Sequence, residues 1–165
     1  MRQKAFTLLE VIVSLGIIVV GLVGSLTLVS FTISGSATSS LKLIAAGLAQ
    51  EGIETVRNSR DSSGNWGSWY SGISDGSYRA EINTSNFKWT IVGDSTPFEE
   101  KLRFNSATGL YFYSPPSQGS LTLFSRGLTV ISGPDGEKQI FSEVRWQERG
   151  RNRSLKAVGY LYNWK

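Results

Sequence analysis

The stretch FTLLEVIVSLGIIVVGLVGSLTLVSFTI, residues 6–33, decides the fold of this chain. It is an almost unbroken apolar run with one charged residue, Glu10, and the head MRQKA before it carries two cations, Arg2 and Lys4. At about 1.5 Å per residue, the uncharged part after Glu10 would extend roughly 34 Å as a helix, which is enough to cross a bilayer. The sequence therefore predicts a membrane-spanning helix near the N-terminus.

The length of the run and the position of Glu10 limit the kinds of membrane segment it can be. A cleaved secretory signal has an apolar region of about 7–15 residues, whereas this run is longer and continues into more helix-like sequence. A simple signal anchor fits the length and the two cations, which stay cytoplasmic by the positive-inside tendency. It leaves Glu10 unexplained, because a carboxylate at membrane depth is costly and usually has a functional partner.

The residues KAFTLLEVI, 4–12, resemble the prepilin-type N-terminal cleavage and methylation signal of type IV pilins and of the pseudopilins of type II secretion. The resemblance implies that a prepilin peptidase removes the leader, residues 1–5, by cutting between Ala5 and Phe6, and methylates the new amine of Phe6. It also implies that Glu10 pairs with the N-terminal amine of a neighbouring subunit, which would compensate a carboxylate in hydrocarbon. The chain departs from the family pattern at Ala5, where glycine is usual.

A second apolar pattern, at helical spacing, follows the membrane segment. After the small polar residues 34–40, apolar residues recur on one stripe, and the charged side chains lie away from it. Many small residues make this part thin, so that a sheet can approach it closely. We therefore expect one helix over residues 6–60, whose amphipathic half, 34–60, covers a sheet. The stripe contains Leu41, Ile44, Ala45, Leu48, Gly52 and Val56, with Ile53 on its edge.

A narrower resemblance concerns the end of this helix. The segment LAQEGIETVRNSRDSSGNW, residues 48–66, is similar to the same region of the minor pilins called type IV pilus modification proteins (PilV-like). Arg126 in one late strand, Val144 and Trp146 in the next, and the closing residues 162–164 (YNW) resemble the same group. The resemblance implies a minor subunit that primes, caps or decorates a filament.

Residues 61–77, DSSGNWGSWYSGISDGS, have the composition of a Gly/Ser-rich connecting loop with three aromatic residues, Trp66, Trp69 and Tyr70. Aromatic residues exposed on a polar loop can bind a sugar or a peptide. Folded back, the same side chains would cover the edge of a sheet, and this is the role that we favour.

From Tyr78 onward the apolar periodicity changes from helical to two, which is typical of half-buried strands. Gly109 and the sequence GPDG at 133–136 mark two of the turns. Residues 78–165 are therefore predicted to form one antiparallel sheet, and the fold class is α+β, the pilin fold that the resemblance implies. The expected strands are 78–83, 87–91, 101–105, 110–114, 121–132, 139–147 and 155–164.

A basic turn is expected at residues 148–153 (ERGRNR), where Arg149, Arg151 and Arg153 lie close together. Three arginines in this arrangement could contact DNA phosphates. Such a run is more often a solvated hairpin tip that keeps a sheet edge from pairing, and no aromatic residue is interleaved in it. We therefore do not expect nucleic acid as a partner.

Composition argues against several other functions. The chain has no cysteine and no histidine, so it lacks a disulfide framework, a thiolate metal site and the commonest general base. Removal of Arg2 and Lys4 with the leader lowers the formal net charge from +4 to +2, which gives little reason for nucleic-acid binding. Asp61, Asn65 and Asp75 do not have the spacing of an EF-hand calcium loop. No enzyme activity, cofactor or metal is expected.

By its resemblance, the chain is expected to be a minor pilin-like structural subunit. It would be a single-pass protein of the cytoplasmic membrane, with its C-terminal domain outside the cytoplasm, and later part of an extracellular filament. The expected partners are other pilin subunits, a prepilin peptidase, an inner-membrane assembly platform and, before assembly, membrane lipid. One alternative is a minor pseudopilin of a type II secretion or competence system. Another is a signal-anchored surface module that stays uncleaved and holds a glycan or peptide with Trp66, Trp69 and Tyr70.

Overall fold

The computed structural model of the chain describes residues 7–163. The chain divides into two compact units, residues 1–41 and residues 42–165. The described part of the first unit is helical from Leu8, where the long helix α1 (Leu8–Ser63) begins. The second unit contains the C-terminal part of α1 and a short helix α2 (Trp66–Gly72). Every β-strand that the structure describes also lies in this unit. The long N-terminal helix predicted from the sequence is confirmed.

Helix α1 ends at Ser63, beyond residue 60 where the sequence suggested its end. The Ser63 hydroxyl donates to the carbonyl oxygen of Arg60 (2.7 Å), so the serines take part in the last turn instead of breaking it. Gly64 follows with φ +67°, the left-handed conformation in which many helices terminate. The end of α1 is therefore set by the glycine.

Helix α2 (Trp66–Gly72) occupies the middle of the segment 61–77, and the prediction of a connecting loop there was wrong. The Asn65 side chain accepts a hydrogen bond from the Ser68 backbone N–H (3.0 Å) and caps the first turn. Three aromatic residues at helical spacing then pack together, and this packing outweighs the low helix propensity of glycine and serine.

The strands form two antiparallel sheets, whereas a single sheet was expected; the α+β class is confirmed. The strands are β1 (Gly76–Asn83), β2 (Lys88–Gly93), β3 (Arg103–Asn105), β4 (Leu110–Phe112), β5 (Ser120–Leu121), β6 (Ser125–Ser132), β7 (Lys138–Glu148) and β8 (Arg151–Leu161). The larger sheet has the order β2-β1-β6-β7-β8, and the smaller has the order β4-β3-β5.

The division into two sheets falls inside the predicted strand 121–132, which is split between β5 and β6. The residues between them turn towards Leu102: the Leu102 N–H donates to the carbonyl oxygen of Phe124 (2.8 Å), and the Thr122 N–H donates to that of Leu102 (2.9 Å). A contact with a distant loop therefore interrupts a segment whose own sequence favours a continuous strand.

The turns follow the sequence more closely. Gly109 and Gly136 have φ +71° and +76°, as expected for the two marked turns. The basic turn predicted at 148–153 is shorter: only Arg149 (φ +50°) and Gly150 (φ +75°) connect β7 to β8. Two consecutive positive φ values are typical of a type I′ hairpin turn, and the residues after Gly150 are already in the strand.

The core of the second unit lies between α1 and one face of the larger sheet. The buried residues of α1 follow the predicted stripe closely and add Ala49 and Thr55 to it. On the sheet, Leu128, Val130, Ile140 and Leu161 complete the cluster. The buried residues of α1 are Ala45, Leu48, Ala49, Gly52, Ile53, Thr55 and Val56.

Candidate functional site

The apolar part of α1 in the first unit is exposed along its whole length. The exposed fraction of its large apolar side chains lies between 47% at Val11 and 78% at Leu8. A contiguous apolar surface of this kind is unfavourable in water and marks a contact with a membrane or with other proteins. Of the described helices, α1 is the one that is long and apolar enough to cross a membrane. This segment fits a membrane-anchored single-pass protein.

Three hydroxyl side chains within this apolar segment bond to its own backbone. The hydroxyls of Ser25, Thr27 and Thr32 donate to the carbonyl oxygens four residues earlier, at 2.8, 2.8 and 2.9 Å. A hydroxyl without a partner is costly in hydrocarbon. Because these hydroxyls are satisfied inside the helix, they are compatible with a lipid or helix-bundle environment.

Glu10 lies in the first turn of α1. Its N–H donates to the Thr7 hydroxyl (3.3 Å), which is half of the reciprocal cap formed by a Thr-x-x-Glu sequence. The negative charge also lies near the positive end of the helix dipole. Among residues 7–163, no ion pair to the Glu10 carboxylate is formed. Thr7 was not singled out from the sequence, although its spacing from Glu10 is the signal that could have identified it.

The predicted processing residues, Ala5 and Phe6, lie outside the described residues. The cut between them and the methylation of Phe6 therefore stay predictions.

The three aromatic residues proposed as a ligand patch lie on α2 and pack against the core. Trp69 is 7% exposed, and its indole N–H donates to the Ser59 hydroxyl (3.3 Å). Trp66 stacks at a tilt against both Trp69 and Tyr70, with ring centroids 5.3 and 5.6 Å apart. Trp69 is therefore inaccessible to a ligand, and the arrangement favours the covering role over the binding role.

The three arginines of the basic turn differ in position. Arg149 lies in the turn, whereas Arg151 and Arg153 lie on β8, at alternate positions and hence on one face of the strand. The Arg153 Nε is 3.6 Å from the Glu148 carboxylate, whose negative charge partly neutralises the Arg153 guanidinium. The three arginines therefore lie on two elements, and a contact of this group with DNA stays a prediction.

Of the charged residues that the structure describes, Arg126 on β6 is the most deeply buried, with 1% exposed. Its Nη1 donates to the Glu51 carboxylate (2.6 Å) and to the carbonyl oxygen of Leu48 (3.2 Å), both on α1. Its Nη2 donates to the carbonyl oxygen of Ala80 on β1 (3.1 Å). A buried charge is tolerated when it is paired and hydrogen-bonded. We call these four residues the Arg126 junction.

The Arg126 junction also holds the smaller sheet. Tyr113, which follows β4, donates its hydroxyl to the carbonyl oxygen of Arg126 (2.7 Å). Burial raises the pKa of Tyr113, although the nearby Arg126 guanidinium opposes this, so the group stays a neutral donor at physiological pH. In the sequence, Arg126 stands out only as part of a resemblance and as a charge within an otherwise uncharged strand.

A second polar cluster lies where β6 ends and β7 begins. The Asp75 carboxylate accepts from the Ser132 hydroxyl (2.7 Å), the Ser132 N–H (2.8 Å) and the buried Lys138 ammonium (3.2 Å). The hydrogen bonds from Ser132, and then the Lys138 charge, lower the pKa of Asp75 below its ordinary value. The Lys138 Nζ also lies 4.3 Å from the Tyr70 ring centroid, so the cluster supports α2.

The residues considered for calcium have separate roles. Asp61 pairs with Arg60, Asn65 caps α2, and Asp75 bonds Ser132 and Lys138. In the described part of the chain, no group of three or more acidic side chains is placed to hold a metal ion.

Comparison with known proteins identifies the N-terminal segment. Residues 1–26 match the family model described as the prokaryotic N-terminal methylation motif. No curated protein and no solved structure matched the chain. The matched motif implies processing by a prepilin peptidase and assembly with other pilins. The N-terminal segment is therefore similar to that of type IV pilins and pseudopilins, and from Leu8 onward the chain forms a long helix that is followed by antiparallel sheets.

Proposed function

We propose that this chain is a minor pilin-like structural subunit, cut by a prepilin peptidase between Ala5 and Phe6 and assembled into a type IV pilus-like filament. In the filament it primes, caps or decorates the assembly. The observation that carries the proposal is the methylation motif at residues 1–26, which continues into an exposed apolar helix. The narrower similarity of residues 48–66 to PilV-like minor pilins supports the minor role.

The mechanism is the transfer of the apolar helix from lipid into a bundle of like helices. Lipid and helix bundle are both apolar, so the hydrophobic effect alone gives little preference between them. The Glu10 carboxylate provides that preference, because pairing with the N-terminal amine of a neighbouring subunit removes the cost of an unpaired charge in hydrocarbon. The same ion pair fixes the register between neighbouring helices.

A minor pseudopilin of a type II secretion or competence system is the second candidate, because the matched motif is common to pilins and pseudopilins. The two candidates differ in the machinery that assembles them. Genes for a secretin, an extension ATPase and a retraction ATPase beside this gene would favour the pilus.

The test of processing is intact-mass analysis of the chain after co-expression with a prepilin peptidase. The expected product begins at N-methylated Phe6 and lacks residues 1–5. A variant with the usual glycine, Ala5→Gly, should be cut at least as completely, and Ala5→Lys should stay uncut. A wild-type chain that still begins at Met1 beside a fully cut Ala5→Gly variant would contradict the proposal and favour a signal-anchored module.

The test of assembly is the incorporation of a Glu10→Ala variant into filaments. We expect its recovery in sheared filaments to fall strongly while its membrane level is unchanged. The matched control is Glu54→Ala, which removes an exposed carboxylate from the same helix outside the apolar segment. Equal incorporation of Glu10→Ala and wild type would refute the proposed role of Glu10.

A further inference from the structure

Phe87, at the tip of the hairpin formed by β1 and β2, has an unusual conformation and environment. Its φ is +56°, a left-handed conformation that is unfavourable for a bulky side chain. Its N–H donates to the carbonyl oxygen of Asn83 (2.8 Å), so the hairpin holds it there. Nevertheless, the side chain is 59% exposed, and burial within the chain does not compensate the strain. Strain of this kind often occurs at functional sites.

An open groove of about 620 Å³ lies beside Phe87, between β2 and the C-terminal part of α1. One wall carries the apolar side chains Phe87, Trp89 and Ile91. The other wall carries Asn58, Ser59 and Ser62, which are small hydroxyl and amide side chains. We call this the Phe87 groove.

Trp89 joins the Phe87 groove to the Arg126 junction. The guanidinium carbon of Arg126 lies 5.6 Å from the centroid of the Trp89 ring, within the range of a cation–π contact. Trp89 is also packed against the hydrophobic core. The apolar wall therefore contains two aromatic rings. Contacts with the core position Trp89, and the hairpin holds Phe87 at the rim of the groove.

The composition of the Phe87 groove indicates the chemical class of its ligand. Among the described residues that line it, Lys88 is the one charged side chain, and no carboxylate is present. Aromatic rings stack on the apolar faces of pyranose rings, and amides and hydroxyls can both donate to and accept from sugar hydroxyls. We propose that the Phe87 groove binds an uncharged saccharide, with Phe87 as the stacking residue.

An extended peptide is the competing occupant, because β2 is an edge strand to which a further strand could be added. Such a peptide would need pockets for alternate side chains on both sides of the added strand. The wall of α1 that faces β2 offers hydroxyl and amide groups instead of apolar pockets, and this favours the saccharide.

The test uses the full chain in a detergent whose head group is not a sugar. Isothermal titration calorimetry with cellohexaose, hexa-N-acetylchitohexaose and mannohexaose is compared with hexagalacturonate and with a six-residue Thr/Val peptide. We expect at least one neutral hexasaccharide to bind, with a Kd of about 1 mM, and the acidic sugar and the peptide to bind more weakly.

The decisive variant is Phe87→Gly. It removes the stacking ring, so affinity should fall about tenfold, and it relieves the backbone strain, so Tm should rise. Asn58→Ala tests the polar wall and should also weaken binding. Tyr160→Ala removes a comparably exposed aromatic residue on β8 and should leave binding unchanged. The proposal is overturned if no neutral hexasaccharide binds, if Phe87→Gly binds as wild type does, or if the peptide binds more tightly.

Discussion

Helix α1 and the sheet approach each other closely at Gly52, and Gly52→Ala should destabilise the second unit. A Cβ atom at this position would lie 2.5 Å from the Ser142 hydroxyl oxygen and 2.8 Å from a Leu128 methyl carbon. Overpacking of this kind costs about 1–3 kcal/mol, whereas the higher helix propensity of alanine offsets about 1 kcal/mol of it. The net loss of unfolding free energy should be about 1 kcal/mol.

The same substitution at Gly47 is a matched control. Gly47 is exposed on the same helix, and a Cβ atom there would have no neighbour within 4 Å. Gly47→Ala should therefore stabilise the protein by up to about 1 kcal/mol. Because helix propensity cancels between the two variants, their difference isolates the packing cost, about 2 kcal/mol.

Thermal unfolding of the full chain in detergent, followed by tryptophan fluorescence, measures this difference. A gap of about 2 kcal/mol corresponds to roughly 8 °C in Tm between the two variants. Among the described residues, the buried Ser142 hydroxyl has no hydrogen-bond partner, so Ser142→Ala alone should be neutral or stabilising and should partly rescue Gly52→Ala. Equal Tm values for Gly52→Ala and Gly47→Ala would refute the close approach.

Three further predictions concern other contacts of the second unit. Arg126→Met should lower the unfolding free energy by about 3 kcal/mol in chemical denaturation, because it leaves two carbonyl oxygens and the partly exposed Glu51 carboxylate without their partner. Glu51→Gln should also be destabilising, because it leaves the buried Arg126 charge without an opposite charge. An Arg126→Met variant as stable as wild type would contradict the role of the junction. The lowered pKa of Asp75 means that its stabilising contribution is present above the ordinary value of 3.8 and is lost as pH falls through the folded-state pKa. The Tm advantage of wild type over Asp75→Asn should therefore shrink on acidification below that value, and an advantage that grows would have the wrong sign. Gly150→Ala should destabilise the β7–β8 hairpin by about 1 kcal/mol, because alanine is strained at φ +75°; an unchanged midpoint in denaturant would contradict this.

Several features of the fold were predictable because they depend on local pattern. The apolar stripe of α1 has the period of a helix, and five of its residues, Ala45, Leu48, Gly52, Ile53 and Val56, are buried. Gly109 and the GPDG turn have the conformations that their residue types favour. Ile140, Val144 and Trp146 alternate along β7, and all three are buried.

The wrong predictions share a different cause. Helix α2 was missed because glycine and serine suggested a loop, while the Asn65 cap and the contact of Trp69 with Ser59 stabilise a helix. The single predicted sheet is divided in two because backbone bonds to Leu102 interrupt the strand. In the sheet a contact with a separate segment outweighs the local preference of the residues, and in α2 the contact with Ser59 adds to the local cap.

The functional features likewise divide into those that the sequence predicts and those that depend on tertiary contacts. The methylation signal and the apolar run are contiguous, and their chemistry depends on residue order alone, so they indicated a pilin-like subunit without any structure. The Arg126 junction depends on contacts across 46 to 78 residues of chain, and neither its partners nor its burial can be inferred from local periodicity. The Phe87 groove is likewise formed only when the end of α1 and the tip of a hairpin meet. Folding brings such segments together through the packing of the whole core, which is why tertiary structure alone reveals these sites.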